Sequence, residues 1–188
     1  AYNTTCMIRS IIFDCFGVLY GGSYQALRAV CPSDKLDDLT DLNHQADYGF
    51  ITTEEYIRGC AELIGKSYEE VEALFRTKHV RNDELISYVK SLKGKVKLGL
   101  LSNVSNDVIE HLFSSSDLAL FDEVLLSYRE HITKPNPAVY LLLVERLGVR
   151  ADECVMVDDI LENCEGAEVA GLESILYVNN EQAIESLS

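Results

Sequence analysis

The chain has 188 residues, 47% of them hydrophobic, which is enough for one sizeable core and a modest accessory subdomain but not for two independent domains. Its 31 acidic residues against 16 Lys and Arg leave a formal net charge of -15, so most of its surface repels a nucleic-acid backbone and no nucleic-acid partner is expected. No uncharged apolar run reaches the length of a bilayer, and no membrane association is expected.

The same negative field repels a phosphorylated ligand at long range, so any phosphate chemistry needs a local metal ion or a buried lysine. The six cysteines (Cys6, Cys15, Cys31, Cys60, Cys154 and Cys164) form no C-x-x-C pair and read as reduced, mostly buried thiols. Residues 1–6 precede Met7 without a signal-cleavage pattern and read either as a loose leader or as an expression remnant foreign to the chain; a cytoplasmic protein is expected.

In chain order, the first apolar run, Ile8 to Phe13, reads as a buried strand. The next strand begins only at Val96, far beyond the dozen or so residues of a simple crossover. From Tyr24 to Leu92 the pattern is helical, with helix starts at Ser33-Asp34, Thr52 to Glu55 and Ser67 to Glu70, each a cap residue followed by acids. Tyr48 to Thr52 reads as a turn between helices. Strands then alternate with helices. Val96 to Leu101 is followed by Val108, Ile109, Leu112 and Phe113 at helical spacing. Glu123 to Leu126 is followed by Val139, Tyr140, Leu143, Val144 and Leu147 before Gly148. Cys154 to Val157 and Ser174 to Val178 are the last strands. This alternation predicts an α/β fold, a parallel sheet with helices on both faces. We divide it into a core of residues 7–19 and 92–188 and a small helical cap of residues 20–91 inserted after the first strand.

In an open parallel sheet the carboxyl ends of the strands form the ligand crevice. Asp14 follows the first strand, Ser102-Asn103 the second, a loop ending in Lys134-Pro135 the third and Asp158-Asp159 the fourth. Three clustered carboxylates are tolerated chiefly around a divalent cation, and hard oxygen ligands favour magnesium. One lysine opposite them acts as a fixed positive charge, while Ser102 and Asn103 offer a hydroxyl and amide donors. Together these groups describe attack by a carboxylate with electrostatic stabilisation of the departing charge. A receiver domain uses similar residues, but its acidic pair comes early; here the pair follows the fourth strand.

The segments Ile11-Ile12-Phe13-Asp14-x-x-Gly17-Val18-Leu19, Leu100-Leu101-Ser102-Asn103, Lys134-Pro135-x-Pro137 and Val157-Asp158-Asp159-x-x-x-Asn163-x-x-Gly166-Ala167 resemble, in order, the four motifs of the haloacid dehalogenase-like hydrolases. The resemblance implies a Rossmann-like core with a helical cap after the first motif. It also implies that Asp14 is the nucleophile, that Ser102 and Asn103 contact the transferring group, and that Lys134 steadies both. Asp14, Asp158, Asp159 and the backbone carbonyl of Phe16 would bind Mg2+. The short cap, with Leu126-Ser127 and the later motifs, is most similar to phosphatases of the glucose-1-phosphate phosphatase type. A small phosphorylated metabolite, such as a sugar phosphate, is the implied substrate.

Typical phosphatases of this superfamily carry a second aspartate two residues after the nucleophile, where this chain has Phe16. A phenylalanine transfers no proton, and loss of a general acid and base costs about a hundredfold to ten-thousandfold in rate. Three readings follow: a phosphatase for a good leaving group, a 2-haloacid dehalogenase, whose aromatic residue sits at this position, or a degenerate binding relative. The Asp158-Asp159 pair favours the first, since dehalogenases lack it. In the cap, Tyr20, Tyr24, His44, Gln45, Asp47 and Tyr48 are candidate substrate-facing groups. His44, His79, His111 and His131 show no mutual metal spacing and read as surface or packing residues.

Overall fold

The computed structural model describes residues 7–104 and 108–188. Five strands, β1 (Ser10–Phe13), β2 (Lys97–Ser102), β3 (Glu123–Leu126), β4 (Cys154–Asp158) and β5 (Glu173–Leu176), form one sheet in the order β3-β2-β1-β4-β5, every pair parallel. Alternate residues point to opposite faces. Ile11, Phe13, Leu98, Leu100, Val155 and Val157 bury one face, and Ile12, Leu101, Leu125 and Met156 bury the other. This is the Rossmann-like α/β architecture expected from the alternating runs. The fifth strand stops at Leu176 rather than Val178 because its partner β4 ends at Asp158, whose carbonyl accepts the Tyr177 N–H at 2.8 Å.

The helices are α1 (Tyr24–Val30), α2 (Leu36–Asp47), α3 (Thr53–Ile64), α4 (Tyr68–Lys78), α5 (Asp83–Leu92), α6 (Val108–Leu112), α7 (Ser115–Leu118), α8 (Ser127–Glu130), α9 (Pro137–Leu147), α10 (Leu161–Val169) and α11 (Asn180–Ser186). Helix α9 lays Val139, Tyr140, Leu143, Val144 and Leu147 on one sheet face. Helix α5 places Leu85, Ile86 and Val89 against the other. Each fully buried aliphatic or aromatic side chain of this kind contributes about 1.5–3 kcal/mol. The loop after β3, expected to be irregular, contains the single turn α8, closed by His131 at φ 54°.

Helices α1 to α4 bury their own cluster, centred on Leu27, Leu39, Tyr56, Ile57, Cys60 and Val71. Thr52–Glu55 and Ser67–Glu70 form reciprocal capping boxes that start α3 and α4, each cap contributing about 1 kcal/mol. The chain leaves and re-enters the sheet domain through one narrow stem. There the Gly21 N–H donates to the Val80 carbonyl at 2.8 Å, and the Asn82 N–H donates to the Leu19 carbonyl at 2.9 Å. Asn82 locks this stem: its Nδ2 donates to the Val18 carbonyl at 2.9 Å and to Asn180 Oδ1 at 2.8 Å. No helix among the described residues is long and apolar enough to cross a membrane.

Candidate active site

Asp14 sits one residue beyond β1, where its N–H still donates to the Val157 carbonyl at 2.9 Å and so continues the ladder with β4. Asp158 ends β4, and Lys134 arrives from the loop between α8 and α9. The Lys134 ammonium lies between them, with Nζ 2.6 Å from Asp14 Oδ1 and 2.6 Å from Asp158 Oδ2. All three residues are buried. Burial alone lowers the lysine, but the two carboxylates overcome it and hold the ammonium well above its ordinary range. Burial pushes Asp14 upward, Lys134 pulls it back, and Asp158 and Asp159 raise it again.

Asn103 fixes the lysine from the mouth of β2. Its Nδ2 donates to the Lys134 carbonyl at 2.9 Å and its Oδ1 accepts the Lys134 N–H at 2.8 Å, so its side chain clamps that loop from both sides. Ser102, the last residue of β2, is fully buried, and its Oγ has no hydrogen-bond partner among the described residues. The other Asp158 oxygen, Oδ1, accepts the Ile160 N–H at 2.9 Å and Asn163 Nδ2 at 3.0 Å. Tyr140 in turn donates to the Asn163 carbonyl at 2.7 Å. Asn163, five residues after Asp158 in the last motif, is thus the brace of that carboxylate, a role its sequence position alone does not reveal.

Asp14, Asp158 and Asp159 each offer a carboxylate oxygen within 4.8 Å of the others. Asp159 Oδ1 is buried and has no protein partner among the described residues. Burial, then Asp158, raises the Asp159 carboxyl. Three carboxylates against one ammonium leave two negative charges in a desolvated cluster, and an orphaned buried carboxylate oxygen is costly. The donor set fits a divalent cation with oxygen ligands, such as magnesium. Gly17 makes room for this cluster: at φ 96° it occupies backbone space favourable to glycine, and a Cβ there would overlap the Asp159 carboxylate.

Over the cluster lies a cavity of ≈390 Å³ between core and cap. Asp14, Asn103, Lys134 and Asp159 form its floor, while Tyr24, Asn43, His44, Asp47 and Tyr56 reach it from the cap. Of the candidate cap groups, Tyr24, His44 and Asp47 line this cavity. Tyr20 is buried, with its hydroxyl donating to the Leu112 carbonyl at 2.7 Å. Phe16 stands on the cavity wall with its ring 4.8 Å from that of His79, which lies 5.9 Å from Phe75. His79 therefore packs at the site rather than on the open surface, and burial lowers its pKa. Single-sequence periodicity marks such a residue as half-buried but not which cavity it borders.

A family model for haloacid dehalogenase-like hydrolases matches residues 8–171, and the chain belongs to that family. Human N-acylneuraminate-9-phosphatase is 29% identical over 120 residues, which cover 61% of this chain and 48% of that protein. Phosphoglycolate phosphatase of Salmonella typhi is 29% identical over 128 residues, covering 66% of this chain and 49% of that protein. The chain thus spans about half the length of these curated relatives. A HAD family enzyme of Bacteroides thetaiotaomicron shares the fold with a TM-score of 0.77 at 21% identity, covering 97% of this chain and 99% of that one. Its wild-type form is also known in complex with magnesium and inorganic phosphate, with a TM-score of 0.73 and coverage of 94% and 98% at 21% identity.

Proposed function

We propose that this chain is a magnesium-dependent phosphomonoester hydrolase that acts on small phosphorylated metabolites, sugar phosphates among them, through an aspartyl-phosphate on Asp14. The observation that carries this reading is the cluster of three carboxylates, with Asp14 and Asp158 buried against Lys134 and Asp159 Oδ1 unpartnered beside them. The phosphatase names of the sequence relatives support it.

Asp14, Asp158 and Asp159, with the Phe16 carbonyl, would hold magnesium. Bound there, the ion supplies charge to offset the phosphoryl oxygens and the carboxylate that approaches them. Asp14 attacks phosphorus; its other partner, Lys134, keeps the carboxylate aligned and neutralises charge as the phosphoryl group is transferred. The unpartnered Ser102 hydroxyl donates to a phosphoryl oxygen, and Asn103 holds the Lys134 loop in register. Water then releases phosphate from Asp14. The free thiols of Cys15, Cys31, Cys60, Cys154 and Cys164 agree with a reducing compartment such as the cytoplasm.

A panel of phosphorylated sugars and p-nitrophenyl phosphate, assayed with and without magnesium, tests the reading. Metal-dependent phosphate release is expected, and its absence on every member rejects it. Phe16 favours a second reading, halide release that needs no proton donor. Turnover of 2-chloropropionate without metal would establish that reading instead.

A further inference from the structure

Phe16 leaves the reacting phosphoryl group without a proton donor on the core side, yet the cavity contains another acid. We propose that Asp47, carried by the cap at the end of α2, protonates the leaving oxygen and then takes a proton from the attacking water. This rests on the phosphomonoesterase reading and supplies the partner it lacks.

Three observations carry it. First, Asp47 lines the same cavity as Asp14 and Lys134. Second, its carboxyl is held on one side only. Asn43 Nδ2 donates to Oδ2 at 2.8 Å, and Tyr56 orients Asn43 by donating to its Oδ1 at 2.8 Å. Oδ1 of Asp47 has no hydrogen-bond partner among the described residues and stays available to a ligand. Third, the backbone at this point is fixed to the core: Ser127 Oγ donates to the Asp47 carbonyl at 2.5 Å, and His131 Nδ1 lies 3.0 Å from the Tyr48 carbonyl. A general acid must hold its position over the reacting bond, and this end of the cap is tied to the core at Ser127 and His131.

The protonation state agrees. Burial raises the Asp47 carboxyl to about 7, against the opposing pull of Lys134 and the Asn43 hydrogen bond. The other groups around it are Tyr56 on α3, Tyr24 on α1, the exposed His44 one turn earlier, His131 beyond α8, and Asp14 on the floor. His79 is a weaker donor, because burial lowers its pKa and favours the neutral imidazole. Glu162 lines the cavity rim but is exposed.

An Asp14 oxygen forms a bond to phosphorus while the ester P–O bond breaks; its electron pair leaves with the substrate oxygen, which takes the Asp47 proton and departs as an alcohol. Water then attacks the aspartyl-phosphate and gives a proton to Asp47. The P–O bond to Asp14 breaks, and phosphate and both starting carboxyl forms are restored.

The test compares phenyl phosphate with p-nitrophenyl phosphate, which are alike in shape but differ in leaving-group basicity. With magnesium, Asp47→Asn is expected to lower kcat/KM for phenyl phosphate by about a hundredfold to ten-thousandfold. For p-nitrophenyl phosphate, whose leaving group departs unprotonated, kcat/KM should stay within about threefold of wild type. The phosphorylated chain should accumulate, detectable by mass spectrometry, because the second step loses its base. Equal losses on both esters, or no loss on either, overturn the proposal while leaving the phosphatase reading intact. Steepened leaving-group dependence in His79→Gln, with none in Asp47→Asn, assigns the proton to His79 and also overturns it. Failure of the wild-type protein to hydrolyse either ester rejects the phosphatase reading, and this one with it.

Discussion

Ser127 fastens the end of α2 to the core: its buried Oγ lies 2.5 Å from the Asp47 carbonyl and accepts the Val104 N–H at 3.0 Å. Truncation of the hydroxyl leaves a buried donor and a carbonyl unsatisfied, at about 1–3 kcal/mol. In a protein of this size Ser127→Ala should lower Tm by roughly 2–10 °C. Thermal unfolding by circular dichroism measures this, and an unchanged Tm would show that the contact is not a stabilising tie.

Asn163 donates to Asp158 Oδ1 and, on the proposed reading, orients that ligand without itself touching the cation. Residues that orient ligating carboxylates typically change metal affinity by about 10–100-fold when removed. Asn163→Ala should therefore weaken magnesium binding by that amount in isothermal titration calorimetry. An affinity equal to wild type would remove Asn163 from the account of the site.

Lys134 is the sole ammonium paired with Asp14 and Asp158 among the described residues. Lys134→Met leaves two buried carboxylates facing each other, a loss of about 3–5 kcal/mol for a broken buried pair. The metal-free variant should unfold at distinctly lower temperature than wild type, and turnover of p-nitrophenyl phosphate should fall at least about a hundredfold. Activity within threefold of wild type would contradict the assigned charge-stabilising role.

The raised pKa of Asp47 gives stability an unusual pH slope. An unfolded aspartate titrates near about 3.9, whereas the folded carboxyl titrates at about 7. Between those values the folded state binds more protons, so this contribution is present at low pH and is lost as pH rises toward about 7. Asp47→Asn mimics the neutral form. Relative to wild type, it should gain about 1–2 kcal/mol at pH 8 compared with pH 5, the partial exposure of Asp47 reducing the full linkage value. Parallel wild-type and variant stability curves across this range would refute the shift.

If Phe16 and Asp47 occupy complementary roles, a carboxyl restored at residue 16 should compensate for one lost at residue 47. Phe16→Asp in the Asp47→Asn background should recover at least about tenfold in phenyl phosphate turnover, a part of the acid–base contribution. No recovery in a folded, magnesium-binding double variant would indicate that the two positions serve different steps.

The sheet was legible because its strands are short, mostly apolar runs, the central ones buried on both faces, and the candidate site residues follow their carboxyl ends. Asp14, Lys134, Asp158 and Asp159 could be gathered from that rule alone. The cap was legible as helices, since Thr52, Ser67 and their paired glutamates mark the starts. What its helices face was not: the amphipathic pattern of α2 reports that Ala46 is buried, but not that Asp47 borders the cavity or that Ser127 grips it. Helix α5 shows the same limit, for its periodicity cannot say that Leu85, Ile86 and Val89 pack on the sheet's core. Such contacts join residues distant in sequence, and a pattern within one helix carries no record of them.

The stem at Leu19–Gly21 and Val80–Asn82 also bears on how this protein could diversify. Because the two crossings lie side by side and are hydrogen-bonded to each other, everything between them begins and ends at one place on the sheet domain. A longer, shorter or differently folded segment can be spliced there without altering strand order or the positions of Asp14 and Asp158. Selection can thus exchange the part that meets the substrate while the reacting floor stays constant.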